Sequence, residues 1–577
     1  MLPYIDLPFV SLSETTGASV DELKLVFSFL LSYPLAAILK RLPDSQPWKK
    51  NAFIVCVSVF YLVGLFDLWD GLRTLIYSSA GTYAIAYFVD GSLMPWLGFL
   101  FLMGHMSISH IARQIKDSPS SVDITGAQMV LVMKLTAFCW NVHDGRLPVN
   151  QLTPTQAYAA IREFPSLLDF AGYVFFFPSL WAGPACDYVE YRRWIETTMF
   201  DLPPGVDQSK APLTRKKRRI PRSGRPAMRK AAMGLSWIAA FLVMGPRYNT
   251  DLMLSDKYME YNIFLRVIIL HLFGFTARLK YYGVWMLTEG ACILSGMGYN
   301  GIDPHTGKVH WDKLENVNPW GLETAQSPHQ YLANWNKNTN HWLRNYIYLR
   351  VTPKGKKPGF RASLATFITS AVWHGFYPGY YLTFVLGAFL QTSAKHFRRH
   401  IRPFFLSPTD PTKPARLKPY YDVLSWLGTQ LLLSFAAAPF VVLRFRDCIT
   451  VWARVYFYGI IGVALTTIAF GLQPVKKYLG QQLEARNRRA LAATRGGAGA
   501  QQTAAAIEKG KEKAKKAQRQ EEEREREGAG LALGLPGDLA GDIDEARREI
   551  QHEIDVRRRR GSAVTMPSGA ELTRAGG

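Results

Sequence analysis

Cysteine is scarce in this chain, and the few cysteines are scattered. Five cysteines are spread over 577 residues, with no CxxC pair and no cysteine–histidine cluster. This pattern predicts neither a disulfide framework nor a zinc site, and most of the thiols are expected to be buried. The nucleophile elbow GxSxG, the glycine patterns of nucleotide-binding loops and the zinc-protease motif HExxH are also absent. These absences exclude several common classes of soluble enzyme.

Acidic residues are the second shortage. The chain has 45 Asp and Glu against 68 Lys and Arg, which gives a formal charge of +23. Such an excess can indicate nucleic-acid binding, but here the basic residues occupy short segments between apolar runs. Residues 209–230, for example, contain ten basic residues and no acid. Loops of this kind are typical of the cytosolic side of a membrane protein, so the C-terminus is expected in the cytosol, and no nucleic-acid partner is expected.

Long apolar runs are plentiful. Hydrophobic residues make up 48% of the chain and aromatic residues 13%. A helix needs about 20 residues to cross a bilayer. Candidate spans lie at 24–40, 51–66, 71–89, 94–110, 124–140, 165–183, 231–245, 261–277, 281–299, 363–375, 378–394, 422–443 and 451–471. Several are short or interrupted by Gly and Pro, so we predict an all-α, polytopic transmembrane helix bundle with about eleven full crossings.

The chain divides into three parts by composition. Residues 1–23 form an N-terminal segment, residues 24–475 contain the apolar runs, and residues 476–577 form a charged, low-complexity tail. The first segment lacks the basic start and cleavage site of a signal peptide, so the first span is expected to be retained. The tail has no apolar face sufficient for a core and is predicted to be a solvated helix or disordered.

One histidine lies where an apolar helix is expected to break. His374 follows the apolar stretch SLATFITSAVW, and Gly375, Pro378 and Gly379 come soon after it. Broken helices within a membrane are tolerated where they line a polar cavity, and a histidine there is expensive without one. Its ordinary pKa of about 6.5 suits a general base near neutral pH. These residues alone support catalysis and a purely structural helix contact equally.

A second stretch, HQYLANWNKNTNHWLR, has many polar side chains between aromatic residues. Helical spacing predicts that Trp335, Thr339 and Trp342 share one face. Asn336 and Asn340 then fall on the adjoining face. An asparagine can hold a carbonyl or hydroxyl group without titrating, as a group that stabilises an oxyanion must. Without further information, an interfacial helix with ordinary polar side chains explains this stretch slightly better.

A third stretch, ARLKYYGVWMLTEGAC, carries Arg278, Lys280 and Glu289 within or beside an apolar run. Charged residues inside a membrane are candidates for function by default. Ion pairs that only hold the bundle together are an equally good explanation.

Together these stretches resemble the membrane-bound O-acyltransferase (MBOAT) family, and most closely its lysophospholipid acyltransferase branch. WHGFYPGYYLTF is similar to the branch motif WHGxxPGY, ARLKYYGVW to RxKYYxxW, and WNKNTNHWLR to the family's asparagine motif. FFFPSLWAGPACDYVEY and VMKLTAFCWNVHDG also resemble the branch. The resemblance covers residues from about 90 to 470. It implies an MBOAT-type bundle in which residues 24–475 are the catalytic domain and enclose a reaction chamber.

The resemblance also implies a reaction. The chain is expected to transfer an acyl group from acyl-CoA, a co-substrate, to the free hydroxyl (mainly sn-2) of a lysophospholipid. His374 is then the catalytic base and Asn336 the second catalytic residue, with Asn338 and Asn340 as nearby alternatives. No metal or other cofactor is expected, because a thioester is already activated. The family implies the endoplasmic reticulum membrane as the location.

Ten further residues are predicted to bind substrate, from these motifs and from the charges in and between them. They are Trp335, Trp373, Tyr380, Arg278, Lys280, Tyr281, Tyr282, Trp285, Glu289 and Arg350. Basic residues between the asparagine and histidine motifs are expected to attract the phosphates of CoA as mobile charges. They are Arg350, Lys354, Lys356 and Lys357. The preference for positive charge in cytosolic loops explains them equally well.

Two alternatives remain open at this stage. The acceptor could be a sterol, a diacylglycerol or a protein, although the neutral-lipid branches carry an FYxDWWN-like motif where this chain has YLANWNKNTN. A transporter with His374 and Glu289 along its path is the alternative from another class. Transporters typically have paired interrupted helices in two halves, and this chain has one clear interrupted pair. Headgroup, acyl chain and oligomeric state are left open.

Overall fold

The computed structural model describes residues 3–494, except 17–18, 117–121, 203–208, 210, 215–217, 353–359, 409 and 412. Within these residues the regular structure is helical, with three isolated β-bridges and no strand. The predicted all-α class is therefore confirmed. The tail beyond residue 494, predicted to be a solvated helix or disordered, lies outside the described residues.

Six helices make up the first part of the bundle. They are α1 (Pro3–Thr16), α2 (Val20–Leu39), α3 (Pro47–Val59), α4 (Trp69–Phe88), α5 (Met94–Lys116) and α6 (Thr125–Gly145). Helix α2 begins with a capping box, in which Ser19 and Glu22 each bond the other's backbone N–H. Helices α5 and α6 pack through Trp96 and Trp140, whose ring centroids are 5.2 Å apart.

The middle of the chain contains one long antiparallel helix pair, together with five short helices. The next elements are α7 (Pro154–Ala159), α8 (Leu167–Val174), α9 (Tyr188–Ile195), α10 (Gly224–Met244), α11 (Thr250–Leu254), α12 (Asp256–Glu260) and α13 (Ile263–Ser295). Helix α13 begins at an Asn262 cap and ends at Gly296, which has a left-handed backbone. Helices α10 and α13 are antiparallel, because Lys230 pairs with Glu289 whereas Trp237 contacts Tyr282.

The two motifs with catalytic candidates lie on the next elements. These are α14 (Pro319–Glu323), α15 (Pro328–Ala333), α16 (Lys337–Leu343), α17 (Phe360–His374) and α18 (Pro378–His396). The chain ends with α19 (Lys418–Val442), α20 (Phe445–Ala453), α21 (Tyr458–Gly471) and α22 (Gln473–Thr494). Helix α19 returns antiparallel to α18, since Gly379 N–H donates to the Leu443 carbonyl at 2.9 Å and Phe384 contacts Phe440.

Four helices in the described part of the chain are long and apolar enough to cross a membrane: Val20–Leu39, Pro47–Leu65, Gly224–Met244 and Lys418–Val442. Helices α20 and α21, bent by 79°, form a fifth candidate if they count as one broken span. The length and apolar composition of these helices indicate a membrane protein. The count of about eleven spans stays a prediction. Helix α13 has 33 residues but carries Arg266, Arg278 and Glu289, which lower its mean hydropathy.

Two large apolar clusters form the core. One is built mainly from α2–α9 and contains Trp342 and Trp373, and the other is built mainly from α13, α19 and α20. Helix α13 belongs to both, with Leu287 in the first cluster and Tyr282 in the second. The asparagine and histidine motifs therefore lie where the two clusters meet.

Candidate active site

His374 is the last residue of α17. Gly375 follows with φ +119°, a conformation that side chains other than glycine rarely adopt. A Cβ atom there would also lie 3.1 Å from Nδ1 of His110. The chain then enters α18 at Pro378, which occupies the first helical position, where proline is favoured. The helix break predicted from Gly375 and Pro378 is therefore confirmed.

The imidazole of His374 is surrounded by aromatic rings but retains free nitrogens. Its ring centroid lies 5.2 Å from that of Phe384, 4.9 Å from Phe440 and 5.7 Å from Tyr380. No residue in the described ranges hydrogen-bonds the ring, and the side chain is only partly buried. Both ring nitrogens are thus available to a substrate hydroxyl in apolar surroundings.

A second histidine, His110 on α5, supports the break. Its Nε2 lies 3.0 Å from the carbonyl oxygen of Trp373. Carbonyls in the last turn of a helix lack partners within the helix, so His110 can satisfy one of them. The indole N–H of Trp373 donates to the Met129 carbonyl of α6 at 3.0 Å. Sequence reasoning missed His110, whose only signal was a histidine within the apolar helix α5.

Asn336 precedes α16 and does not lie on it. Its backbone is left-handed (φ 44°, ψ 54°), which asparagine tolerates better than most residues, and the helix begins at Lys337. Trp335 therefore cannot share a helical face with Thr339 and Trp342, and that part of the prediction is wrong. The side-chain oxygen of Asn336 accepts a hydrogen bond from the Thr339 hydroxyl at 2.8 Å.

The neighbouring asparagines are committed to structural hydrogen bonds. Asn340 donates to the carbonyls of Leu332 and Trp335, both at 2.8 Å. The backbone and side-chain N–H groups of Asn338 donate to Asn316 at 3.1 and 3.0 Å. Among the described residues, the amide nitrogen of Asn336 has no comparable acceptor. The geometry thus favours Asn336 as the asparagine that meets substrate.

One ring contact joins the asparagine and histidine motifs. Trp342 on α16 lies 6.0 Å from Trp373 between ring centroids, and its N–H donates to the Thr136 hydroxyl of α6 at 2.8 Å. The structure groups six of the predicted residues in two aromatic clusters. Trp373 and Tyr380 contact His374, and Tyr281 and Trp285 contact Trp335.

Arg278 and Tyr282 hold the loop before the asparagine motif. The guanidinium of Arg278 donates to both carboxylate oxygens of Glu323 at 2.9 Å, and the Tyr282 hydroxyl donates to Glu323 at 2.6 Å. Because Arg278 is buried, this pair fixes α14 against α13. Sequence reasoning missed Glu323, which had no motif to identify it. Arg278 and Tyr282 support the site rather than face His374.

Three other predicted substrate-binding residues lie apart from His374. Lys280 pairs with Glu22 at 3.4 Å, and Glu289 pairs with Lys230 at 2.8 Å. Arg350 forms a buried, two-bonded pair with Asp144 and stacks over the Trp140 ring at 4.4 Å. Arg350 is thus anchored in this structure, contrary to its prediction as a mobile charge. Lys354, Lys356 and Lys357 lie outside the described residues.

A polar cavity of about 410 Å³ lies beside the asparagine motif, and Lys337, Asn338 and His341 line it. Asp187 and Glu190 line another wall. Burial raises the pKa of Asp187, and the nearby Glu190 carboxylate raises it further. The cations that line this cavity are Lys134, Lys313, Lys337 and Arg344. A ligand bearing both charged and polar groups fits such a lining.

The class of the protein follows from sequence comparison together with this geometry. A sequence model of the MBOAT, membrane-bound O-acyltransferase family matches residues 96–438, which contain both motifs. The chain therefore belongs to the membrane-bound O-acyltransferase family, whose members are acyl-transferring enzymes.

Individual relatives refine this comparison. The chain is 44% identical to the lysophospholipid acyltransferase of Schizosaccharomyces pombe over 84% of this chain and 92% of the relative. It is 42% identical to the lysophospholipid acyltransferase of Saccharomyces cerevisiae over 79% of this chain and 75% of that protein. It is 29% identical to human membrane-bound glycerophospholipid O-acyltransferase 2, over 81% and 87% of the two chains.

Proposed function

We propose that this enzyme transfers a fatty acyl group from acyl-CoA to the free hydroxyl, mainly at sn-2, of a lysophospholipid. The names of the two fungal relatives support the acceptor class. The observation that carries the chemistry is a histidine with free ring nitrogens at a helix break, joined through Trp373 and Trp342 to the helix that follows Asn336.

His374 acts as the general base. It takes the proton from the lysolipid hydroxyl while that oxygen attacks the thioester carbonyl. The new C–O bond forms, the C–S bond breaks, and the CoA thiolate leaves and can accept the proton from the imidazolium. A positioned base contributes about 10²–10⁴-fold to the rate. The aromatic rings of Phe384 and Phe440 exclude water, which favours transfer to the lipid over hydrolysis.

Asn336 supplies a neutral hydrogen-bond donor. Its amide nitrogen can hold the thioester carbonyl as negative charge develops on the oxygen, which is worth about 2.7–4 kcal/mol where such donors have been removed. The hydrogen bond from Thr339 fixes the amide orientation, because the Asn336 oxygen is then the occupied end. Asn336 and His374 thus have separate tasks, one at the carbonyl and one at the hydroxyl.

The CoA portion of the donor stays on the aqueous side, because its phosphates cannot enter the bilayer. The polar cavity beside α16 supports an approach next to Asn336, since its lining is polar and includes four cations together with the carboxylates of Asp187, Glu190, Asp312 and Glu315. Lys354, Lys356 and Lys357 belong to this proposal as charges that raise the local concentration of CoA. Arg350 supports it only indirectly, by anchoring the start of that loop to Asp144.

Membrane placement completes the proposal. We infer about eleven spans. The four most apolar helices and the bent pair α20–α21 are joined by α4, α5, α6, α13 and α18, which each have at least 19 residues, and by the shorter α17. The basic loops support a cytosolic position for the charged tail. The endoplasmic reticulum membrane is the proposed location.

An activity panel tests the proposed function. Purified protein in lipid vesicles is given labelled acyl-CoA with lysophospholipids of different headgroups, and with a sterol, diacylglycerol and water as competing acceptors. The proposal predicts labelled diacyl phospholipid as the dominant product. Label that appears only in a sterol ester, in triacylglycerol or in free fatty acid would overturn it.

A further inference from the structure

A long groove of about 950 Å³ lies on the outer side of α10 and α13. Its walls come from these two helices, from residues between 308 and 323 and from Trp426 and Gln430 of α19. Along α13 the lining runs from His271 to Ile293, which is about 33 Å at 1.5 Å per residue. The groove is therefore comparable in length to the hydrocarbon thickness of a bilayer.

The groove and the asparagine motif lie on adjoining faces of α13. Phe275, Met286 and Glu289 line the groove, whereas Tyr281 and Trp285 contact Trp335. Glu289 follows Trp285 by four residues, about one helical turn, so the groove passes close to the asparagine motif. Its lining contains neither His374 nor Asn336, so a molecule bound there occupies a site beside the candidate catalytic residues.

One part of the groove carries charges and an unsatisfied carboxylate oxygen. Lys230 lies 2.8 Å from Oε1 of Glu289 and 3.4 Å from Oε2 of Glu315. Glu289 is fully buried, and its other oxygen, Oε2, has no hydrogen-bond partner among the described residues. A buried carboxylate oxygen without a donor is costly, so this oxygen calls for a donor from a ligand. Arg229 and Lys308 also line the groove.

The rest of the α10 wall is apolar and faces lipid. Met233 and Trp237 follow Lys230 at one and two turns along α10. Met233 is 38% exposed, and only 17% of the most apolar window of α10 is buried within the protein. Because α10 is one of the four candidate spans, the molecules that reach this wall are those of the bilayer.

We propose that the groove binds a membrane phospholipid whose headgroup carries a primary ammonium, as ethanolamine does. The ammonium donates to Oε2 of Glu289, and the phosphate lies near Lys230 and Arg229. One acyl chain follows Met233 and Trp237 along α10. A choline headgroup has no N–H donor and leaves the Glu289 oxygen unsatisfied, so the site discriminates between these two lipids.

Lipid retention tests this proposal without reference to activity. The protein is purified from an equimolar mixture of diacyl phosphatidylethanolamine and diacyl phosphatidylcholine, and the lipids that stay bound are counted by native mass spectrometry. We expect at least a fivefold preference for the ethanolamine lipid, which falls toward unity in Glu289→Gln. Equal retention of the two lipids by the unmodified protein would overturn the proposal, whether or not any variant folds.

Two matched substitutions locate the bound lipid. Met233→Trp fills the groove and is expected to remove most of the retained lipid. Met228→Trp adds the same bulk on the opposite face of α10, where Met228 is 60% exposed, and is expected to retain lipid normally. Phe384→Ala enlarges the surroundings of His374 instead. Loss of the lipid in Phe384→Ala but not in Met233→Trp would assign it to the active site and contradict the groove.

Discussion

Asn336, Asn338 and Asn340 are identical side chains with different uses, and their hydrogen bonds tell them apart. The side-chain amide of Asn340 donates hydrogen bonds to the carbonyls of Leu332 and Trp335, and that of Asn338 donates to the Asn316 side chain. Of the three, Asn336 is the one whose amide nitrogen has no acceptor among the described residues. The sequence motif indicated the right group of residues, but the choice among them depends on partners such as Asn316, which no local pattern identifies.

Replacement of His374 by alanine tests the base. We expect His374→Ala to lower kcat by about 10²–10⁴-fold, or about 3–5 kcal/mol in the barrier, because no other described group replaces the imidazole. Initial rates of phospholipid formation from labelled acyl-CoA measure this. His305→Ala is the matched control, since His305 is exposed in a loop and should retain full activity. A fully active His374→Ala enzyme would exclude base catalysis by this residue.

The asparagines should separate activity from stability. Asn336→Asp is expected to lower kcat by about 10²–10³-fold with little change in unfolding, because it removes the amide donor but keeps the oxygen that Thr339 bonds and a residue type that tolerates a left-handed backbone. Asn340→Ala should cost about 1–3 kcal/mol of stability, because two buried carbonyls lose their donor. Paired measurements of kcat and of thermal unfolding in detergent check both. The reverse pattern would transfer the catalytic assignment to Asn340.

At the scale of helices, both candidate catalytic residues lie at helix ends, since His374 ends α17 and Asn336 precedes α16. The break between α17 and α18 was predictable, because glycine and proline act locally. The start of α16 was not, because apolar spacing alone placed Trp335 and Asn336 on the helix. The left-handed backbone at Asn336 arises from the loop that Glu323 and Asn316 hold, and periodicity does not report such tertiary contacts.

Two glycines of α18 provide a test of its packing. A Cβ atom on Gly379 would lie 2.0 Å from the carbonyl oxygen of Pro439 on α19, whereas one on Gly387 would meet no atom within 4 Å. We expect Gly379→Ala to destabilise the protein by about 1–3 kcal/mol through overpacking. Gly387→Ala should be neutral or slightly stabilising, since alanine favours helix. Thermal unfolding of both variants would show whether α18 and α19 are as close as described.

At the scale of the whole molecule, composition predicted a helical membrane protein and the motifs predicted its family. The ion pairs between distant residues could not be predicted from the sequence. Arg278 meets Glu323 and Arg350 meets Asp144 across 45 and 206 residues. A sequence shows that these charges lie in or near apolar segments, which made Arg278 a candidate for function. It does not show that each has a partner, because the pairing depends on the folded bundle.

The Arg278–Glu323 pair should contribute strongly to stability. Glu323→Gln leaves the buried guanidinium without its counter-charge, and we expect a loss of about 3–5 kcal/mol. Glu22→Gln removes the same charge from the more exposed pair with Lys280 and should cost less than about 1 kcal/mol. Glutamine also preserves the capping box of α2. Similar losses in the two variants would contradict the structural role assigned to Glu323.

Helix α6 contributes neither of the proposed catalytic side chains, yet both catalytic motifs are anchored to it by hydrogen bonds. The indole of Trp373, next to His374, is tied to Met129, and the indole of Trp342, on the helix after Asn336, is tied to Thr136. Met129 and Thr136 are seven residues apart, so they lie on one face, about 10 Å along the helix axis. Helix α6 therefore fixes the segment that carries the base and the segment that follows the amide relative to each other.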